Sequence, residues 1–189
     1  MKQKIVLIGA STGGPGHLKK ILSAMQQPFS MPIIIAQHMN STFIPSFINQ
    51  FKSELSFPVH AIDTSIELKT SEIFICSTNS RLKKTSFSLH IEPIQNLETP
   101  YNPSVDTLFF SAVEYCKECD ILAILLTGIG QDGAMGLSEL QKNGATCIAE
   151  NEESAIVFGM PKRAVEINPL IKAMHLNDII NTIKLFGAS

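Results

Sequence analysis

The run Ile5-Val6-Leu7-Ile8 is aliphatic at every position and stops on Gly9-Ala10-Ser11-Thr12-Gly13-Gly14. Consecutive apolar residues closed by a glycine-framed turn describe a buried strand. Beyond the turn, Leu18, Ile21, Leu22 and Met25 recur at i, i+3, i+4, i+7, the spacing of one helix face. The chain therefore opens as strand, sharp turn and helix. A serine in that turn stands at the end of a strand and faces the positive end of a helix. Its small neighbours fit a nucleophile elbow, and they equally fit a phosphate-binding turn.

The same alternation continues. Pro32 introduces an aliphatic strand over 33–36, followed by Gln37-His38-Met39, and Phe43, Phe47, Ile48 and Phe51 line the next helix. Strands are predicted at 59–62 and 73–76. Residues 86–94 alternate, with Phe87, Leu89 and Ile91 against Ser88, His90 and Glu92, which predicts half of an antiparallel hairpin. Ser104, after Pro103, is a good N-cap for a helix carrying Val105, Leu108, Phe109, Ala112, Val113 and Cys116 on one face. Residues 121–126 form the most apolar strand, expected to be central, and 145–149 another, after a Gly144 that ends a helix. Two helices, from about residues 161 and 177, finish the chain. Strands alternating with helices imply an α/β fold: three layers, a doubly wound and mostly parallel sheet of about seven strands, and an antiparallel hairpin. At 189 residues the expected organisation is a single domain over 1–189.

Composition narrows the function classes. With 44% hydrophobic and 17% charged residues, the sequence is that of a globular protein. A formal charge of −2 offers no basic field for nucleic acid or anionic lipid. The longest aliphatic runs fall far short of the roughly 20 residues of a membrane helix. The apolar run after Lys2 and Lys4 is likewise too short for a secretory signal. A cytoplasmic location is expected, with no nucleic-acid partner and no membrane insertion. Cys116 and Cys119 form a C-x-x-C, but no further ligands stand at zinc spacing. Together with Cys76 and Cys147 they are expected to be ordinary thiols in a reducing compartment. No metal and no cofactor is expected.

Doubly wound sheets bind ligands outside the carboxyl ends of their strands. On that edge the sequence places Ser11 after the first strand, His38 after the second and Asp132, in Thr127-Gly128-Ile129-Gly130-Gln131-Asp132-Gly133, after the central one. A serine hydroxyl needs a base, and the base needs an acid that holds its tautomer and stabilises its cation. Taken singly each residue has a plainer role: turn serine, loop histidine, N-cap aspartate. Their coincidence on one edge favours catalysis. His17, His60, His90 and His175 follow no strand end and are expected to be surface or capping residues. The phosphate alternative lacks G-x-G-x-x-G, an acid ending the second strand, and the lysine of a P-loop. An ordinary α/β-hydrolase would order serine, acid, histidine, and this order is Ser11, His38, Asp132.

Five segments, I-G-A-S-T-G-G at 8–14, Q-H-M at 37–39, P-S-V-D at 103–106, L-T-G-I-G-Q-D-G-A at 126–134 and V-F-G-M-P at 157–161, together resemble the catalytic domain of the chemotaxis protein-glutamate methylesterases (CheB type). The resemblance implies hydrolysis of glutamate methyl esters on the cytoplasmic domains of methyl-accepting chemotaxis receptors, with release of methanol. Glutamine deamidation by the same acyl chemistry is also implied. Carried over by position, Ser11 is the nucleophile, His38 the base and then acid, and Asp132 the orienting carboxylate. The backbone amides of Thr12 and Ile129 become the oxyanion donors.

Departures accompany the likeness. Most members carry methionine where Ile129 stands, a change that a main-chain donor tolerates. The family usually adds an N-terminal receiver domain, and the chain is expected to be a stand-alone catalytic domain without one. A basic residue commonly precedes P-S-V-D, and here it is Asn102. The segment 76–82 differs from the family's A-P-G-G-x-H-M-like stretch. The oligomeric state is not legible. A catalytically inactive receptor-binding module of the same fold is the alternative function.

Overall fold

The computed structural model describes residues 2–188. Its main sheet has seven strands: β1 (Gln3–Ala10), β2 (Ile33–Gln37), β3 (Val59–Ile62), β5 (Ile73–Cys76), β8 (Cys119–Leu125), β9 (Thr146–Glu150) and β10 (Lys172–Met174). Their order is β10-β9-β8-β1-β2-β5-β3, and every pairing in it is parallel. The remaining strands, β4 (Ile66–Glu67), β6 (Ser80–Lys84) and β7 (Leu89–Pro93), form an antiparallel sheet in the order β4-β7-β6. Six α-helices connect the strands: α1 (Gly14–Ser23), α2 (Ile44–Glu54), α3 (Val105–Ala112), α4 (Ala134–Lys142), α5 (Met160–Ile167) and α6 (Leu176–Ala188).

The period of two in a strand divides the central residues between two cores. Ile5 and Leu7 of β1 join the core under α3, α4 and α5, which the antiparallel sheet extends through Leu82, Leu89 and Ile91. Val6 and Ile8 join the opposite core, with Leu18, Ile21, Phe47, Phe51, Ile179 and Ile183 of α1, α2 and α6. Both faces of β1 are buried, so its continuous aliphatic run needs no polar alternation. Truncating a side chain such as Leu7 to alanine costs about 2–5 kcal/mol through lost burial and the cavity left behind.

The hairpin differs from its expected bounds. Strand β7 begins at Leu89, not at 86, because Thr85 bonds back to Ser88 and closes a turn. Phe87 is therefore not an inward strand residue but the hairpin tip, 99% exposed. β4, β6 and β10 carry too little apolar periodicity to stand out, with two, five and three residues respectively.

From β1 the chain turns through α1 to β2 on one side, and from β8 through α4 to β9 on the other. The boundary between β1 and β8 is thus the topological switch point, where the strand ends open a crevice.

Candidate active site

Ser11 follows β1 directly, and its N–H donates to Thr127 O of the loop after β8 at 2.9 Å. Its carbonyl accepts from Gly14 N at 2.8 Å, closing the turn into α1. Gly13 caps that helix at φ +84°, a left-handed conformation suited to glycine, and a Cβ there would lie 2.7 Å from Ile156 Cβ. Gly128 is constrained by contact, since a Cβ on it would come within 2.7 Å of Ser11 Cβ. The glycines thus let two strand-end loops close on the serine.

His38 is placed by β2, its N–H donating to Ala10 O at 2.9 Å. Its Nε2 lies 2.6 Å from Asp132 Oδ2. The imidazole stacks on Tyr101, ring centroids 4.4 Å apart and planes within 2° of parallel. Among the described residues no hydrogen bond joins the Ser11 hydroxyl to the imidazole, as is common where a nucleophile awaits substrate.

The Asp132 carboxylate sits on the N-terminus of α3. Oδ2 accepts from Val105 N–H at 2.6 Å, and Oδ1 accepts from Ser104 Oγ at 3.0 Å and Asp106 N–H at 3.1 Å. Burial works to raise this carboxyl. Hydrogen bonds from His38 and the two backbone amides, with the attraction of the imidazole, outweigh it and hold Asp132 below the ordinary aspartate range. Asp106 shifts the other way: burial and the nearby Asp132 charge raise it, against the hydrogen bond from Gly136 N–H.

Ser11, His38 and Asp132 are thus carried by three adjacent strand ends, with His38 and Asp132 in direct contact. Among the described residues, the N–H groups of Thr12 and Ile129 donate to no acceptor in the chain. Two contributors were not legible in the sequence. Gln37, 3% exposed, donates from Nε2 to both Ser11 O (2.9 Å) and His38 O (2.8 Å), bridging two of the three loops. Ser104 caps α3 through Thr107 N–H, as expected, but also grips Asp132. The sequence marks Gln37 only by its place in Q-H-M, and marks Ser104 as a cap without marking its bond to Asp132.

One histidine departs from expectation. His17 is not a surface residue: it is 4% exposed, and its Nδ1 lies 3.2 Å from Oε2 of the fully buried Glu150. It shares the buried face of α1 with Leu18, Ile21 and Leu22, one turn before Ile21. His175 caps α6 as expected but directly follows β10, a strand end too short to stand out in the sequence, while His60 and His90 are half-buried on β3 and β7. All four cysteines are free and buried; burial pushes Cys76 and Cys147 up to about 12. Among the described residues there is no group of three or more His, Cys, Asp or Glu arranged to hold a metal, and no helix long and apolar enough to cross a membrane.

The family model described as CheB methylesterase matches residues 6–183. The chain belongs to the CheB methylesterase family. A protein-glutamate methylesterase/protein-glutamine glutaminase 1 of Carboxydothermus hydrogenoformans is 33% identical over 186 residues, 96% of this chain and 54% of that protein. A protein of the same name, numbered 2, from Syntrophus aciditrophicus is 36% identical over 183 residues, 95% and 53% respectively. The crystal structure of the Thermotoga maritima CheB methylesterase catalytic domain matches with a TM-score of 0.89 at 29% identity, over 98% of this chain and 99% of that one. The chain spans about half the length of the curated relatives it matches, while its fold is that of the CheB catalytic domain.

Proposed function

We propose that this chain is a single catalytic domain that hydrolyses glutamate methyl esters on the cytoplasmic domains of chemoreceptors, in the cytoplasm, using Ser11, His38 and Asp132. The observation that carries the proposal is the 2.6 Å His38–Asp132 contact beside Ser11 at the switch point of a CheB-family fold. A phosphate-binding turn has no use for such a pair.

With Nε2 turned to Asp132, the nitrogen left for Ser11 is Nδ1. It takes the hydroxyl proton as Oγ attacks the ester carbonyl. Asp132 stabilises the imidazolium that forms, and the α3 amides keep Asp132 oriented. The Thr12 and Ile129 amides receive the oxyanion, each such donor being worth about 3–4 kcal/mol in related chemistry. Collapse expels methoxide, which leaves as methanol with the proton from His38. Water then attacks the acyl-serine with His38 as base and returns free Ser11 and a glutamate side chain. An amide substrate would reach the same acyl-serine, its nitrogen leaving as ammonia with the proton from His38, and the glutaminase part of the relatives' names favours that second activity.

The test is mass spectrometry of a methylated receptor cytoplasmic domain incubated with the protein, with methanol assayed in parallel. Loss of methyl groups with matching methanol is expected. Receptor that binds the protein but keeps its esters would instead mark an inactive docking module.

A further inference from the structure

A second buried histidine–carboxyl pair lies behind the nucleophile turn, and the mechanism above leaves it unused. Glu150, at the end of β9, is 0% exposed. Its Oε2 accepts from Thr127 N–H at 2.8 Å and meets His17 Nδ1 at 3.2 Å, and its Oε1 accepts from Ser154 Oγ at 2.8 Å. Thr127 in turn controls the turn: its carbonyl accepts from Ser11 N–H at 2.9 Å, and its hydroxyl donates to Thr12 O at 2.8 Å. The same hydroxyl accepts from Val157 N–H at 2.9 Å. One buried carboxyl therefore fixes the residue that fixes both the nucleophile and a proposed oxyanion donor.

We infer that Glu150, with His17 as its buried partner, is a positioning residue that holds the Ser11–Thr12 turn in reacting geometry through Thr127. A carboxyl buried this completely is costly, so a packing role alone would be better filled by an apolar side chain. What an apolar side chain cannot supply is the acceptor for Thr127 N–H. Without it, the strand end that carries the Thr127 carbonyl and hydroxyl loses one of its anchors. Glu150 makes no hydrogen bond to Ser11 and acts on it through Thr127.

The inference rests on the triad proposed above for its effect on rate, but its structural half can be read without chemistry. Glu150→Gln keeps an acceptor for Thr127 N–H and a polar partner for His17 and Ser154. Glu150→Met keeps the length and removes the acceptor. For each folded variant, two quantities are measured: kcat and KM for methanol release, and hydrogen exchange at the Ser11 amide. Glu150→Gln should stay within about threefold of wild type, whereas Glu150→Met should lose roughly 10- to 100-fold in kcat with KM little changed, the scale of a misplaced reacting group. Ser11 amide exchange should accelerate in Glu150→Met alone.

If Glu150→Met does not fold, Thr127→Val, which removes the hydroxyl links to Thr12 and Val157, takes its place against Thr127→Ser. Slow turnover in the valine variant and recovery in the serine variant support the inference. Wild-type kcat in a folded Glu150→Met or Thr127→Val, or a loss in Glu150→Gln equal to that in Glu150→Met, overturns it. A wild-type protein that releases no methanol defeats the proposed function instead, and Ser11 exchange then decides this inference by itself.

Discussion

The ring of Tyr101 lies flat on the imidazole of His38, centroids 4.4 Å apart and planes 2° from parallel. Tyr101 approaches from the loop before α3, while His38 comes from the end of β2, so the contact ties two of the site's loops together. Its hydroxyl also lies 2.8 Å from where a Cβ on Gly130 would stand, beside the Asp132 turn. An aromatic face against the imidazole fixes its plane and interacts favourably with the positive charge the ring carries during turnover, worth about 0.5–2 kcal/mol.

Tyr101→Ala should therefore lower kcat by roughly 2- to 30-fold, the equivalent of that energy, while Tyr101→Phe stays near wild type. Steady-state methanol release distinguishes them. If alanine and phenylalanine variants fall together, the hydroxyl and not the stacked face is what matters.

Ser104 serves two partners at once, donating to Asp132 Oδ1 and accepting from Thr107 N–H. Ser104→Ala removes the cap and one of the carboxylate's donors. Stability should drop by about 1 kcal/mol, the usual worth of such a cap. Turnover should fall as well, because Asp132 loses a restraint. Urea unfolding paired with kcat measurement checks both, and an unchanged unfolding midpoint would argue against the capping role.

The two aspartates at this helix end should titrate stability in opposite senses. Asp132 has a depressed folded value, so its contribution is complete above the ordinary aspartate range and is lost as pH falls through the folded value. Asp106 has a raised folded value, so its contribution is complete below the unfolded value and is lost as pH rises through the folded one. Asp106→Asn should accordingly be more stable than wild type at neutral pH, and Asp132→Asn less stable, with both differences shrinking toward acid. Unfolding midpoints measured from acid to neutral pH test the signs, and a neutral-pH ranking in the reverse order contradicts the assignment.

Much of this site was legible in the sequence because strand ends are legible. The aliphatic runs through Ile5, Ile33 and Ile121 predict three strands, and the doubly wound rule puts Ser11, His38 and Asp132 on one edge. Contacts that cross between elements were not legible. His17 lies one turn before Ile21 on the buried face of α1, but nothing local marks the Glu150 carboxyl, 133 residues away, that it meets. Tyr101 sits in a loop with no period to mark it. Phe87 obeys a strand alternation that the turn between Thr85 and Ser88 overrides. Ser104 reads as a cap, but its second partner lies 28 residues away in sequence and has no local signature.

The central claim, that Ser11 carries the reaction, is tested most directly by the rate of methanol release from one methylated receptor domain by wild type and by Ser11→Ala. Folding of both proteins is verified by their unfolding transitions. Loss of a nucleophile from a working triad costs on the order of 10⁴-fold or more, so release by Ser11→Ala should fall to near the uncatalysed background. Equal release by the two proteins would contradict the account.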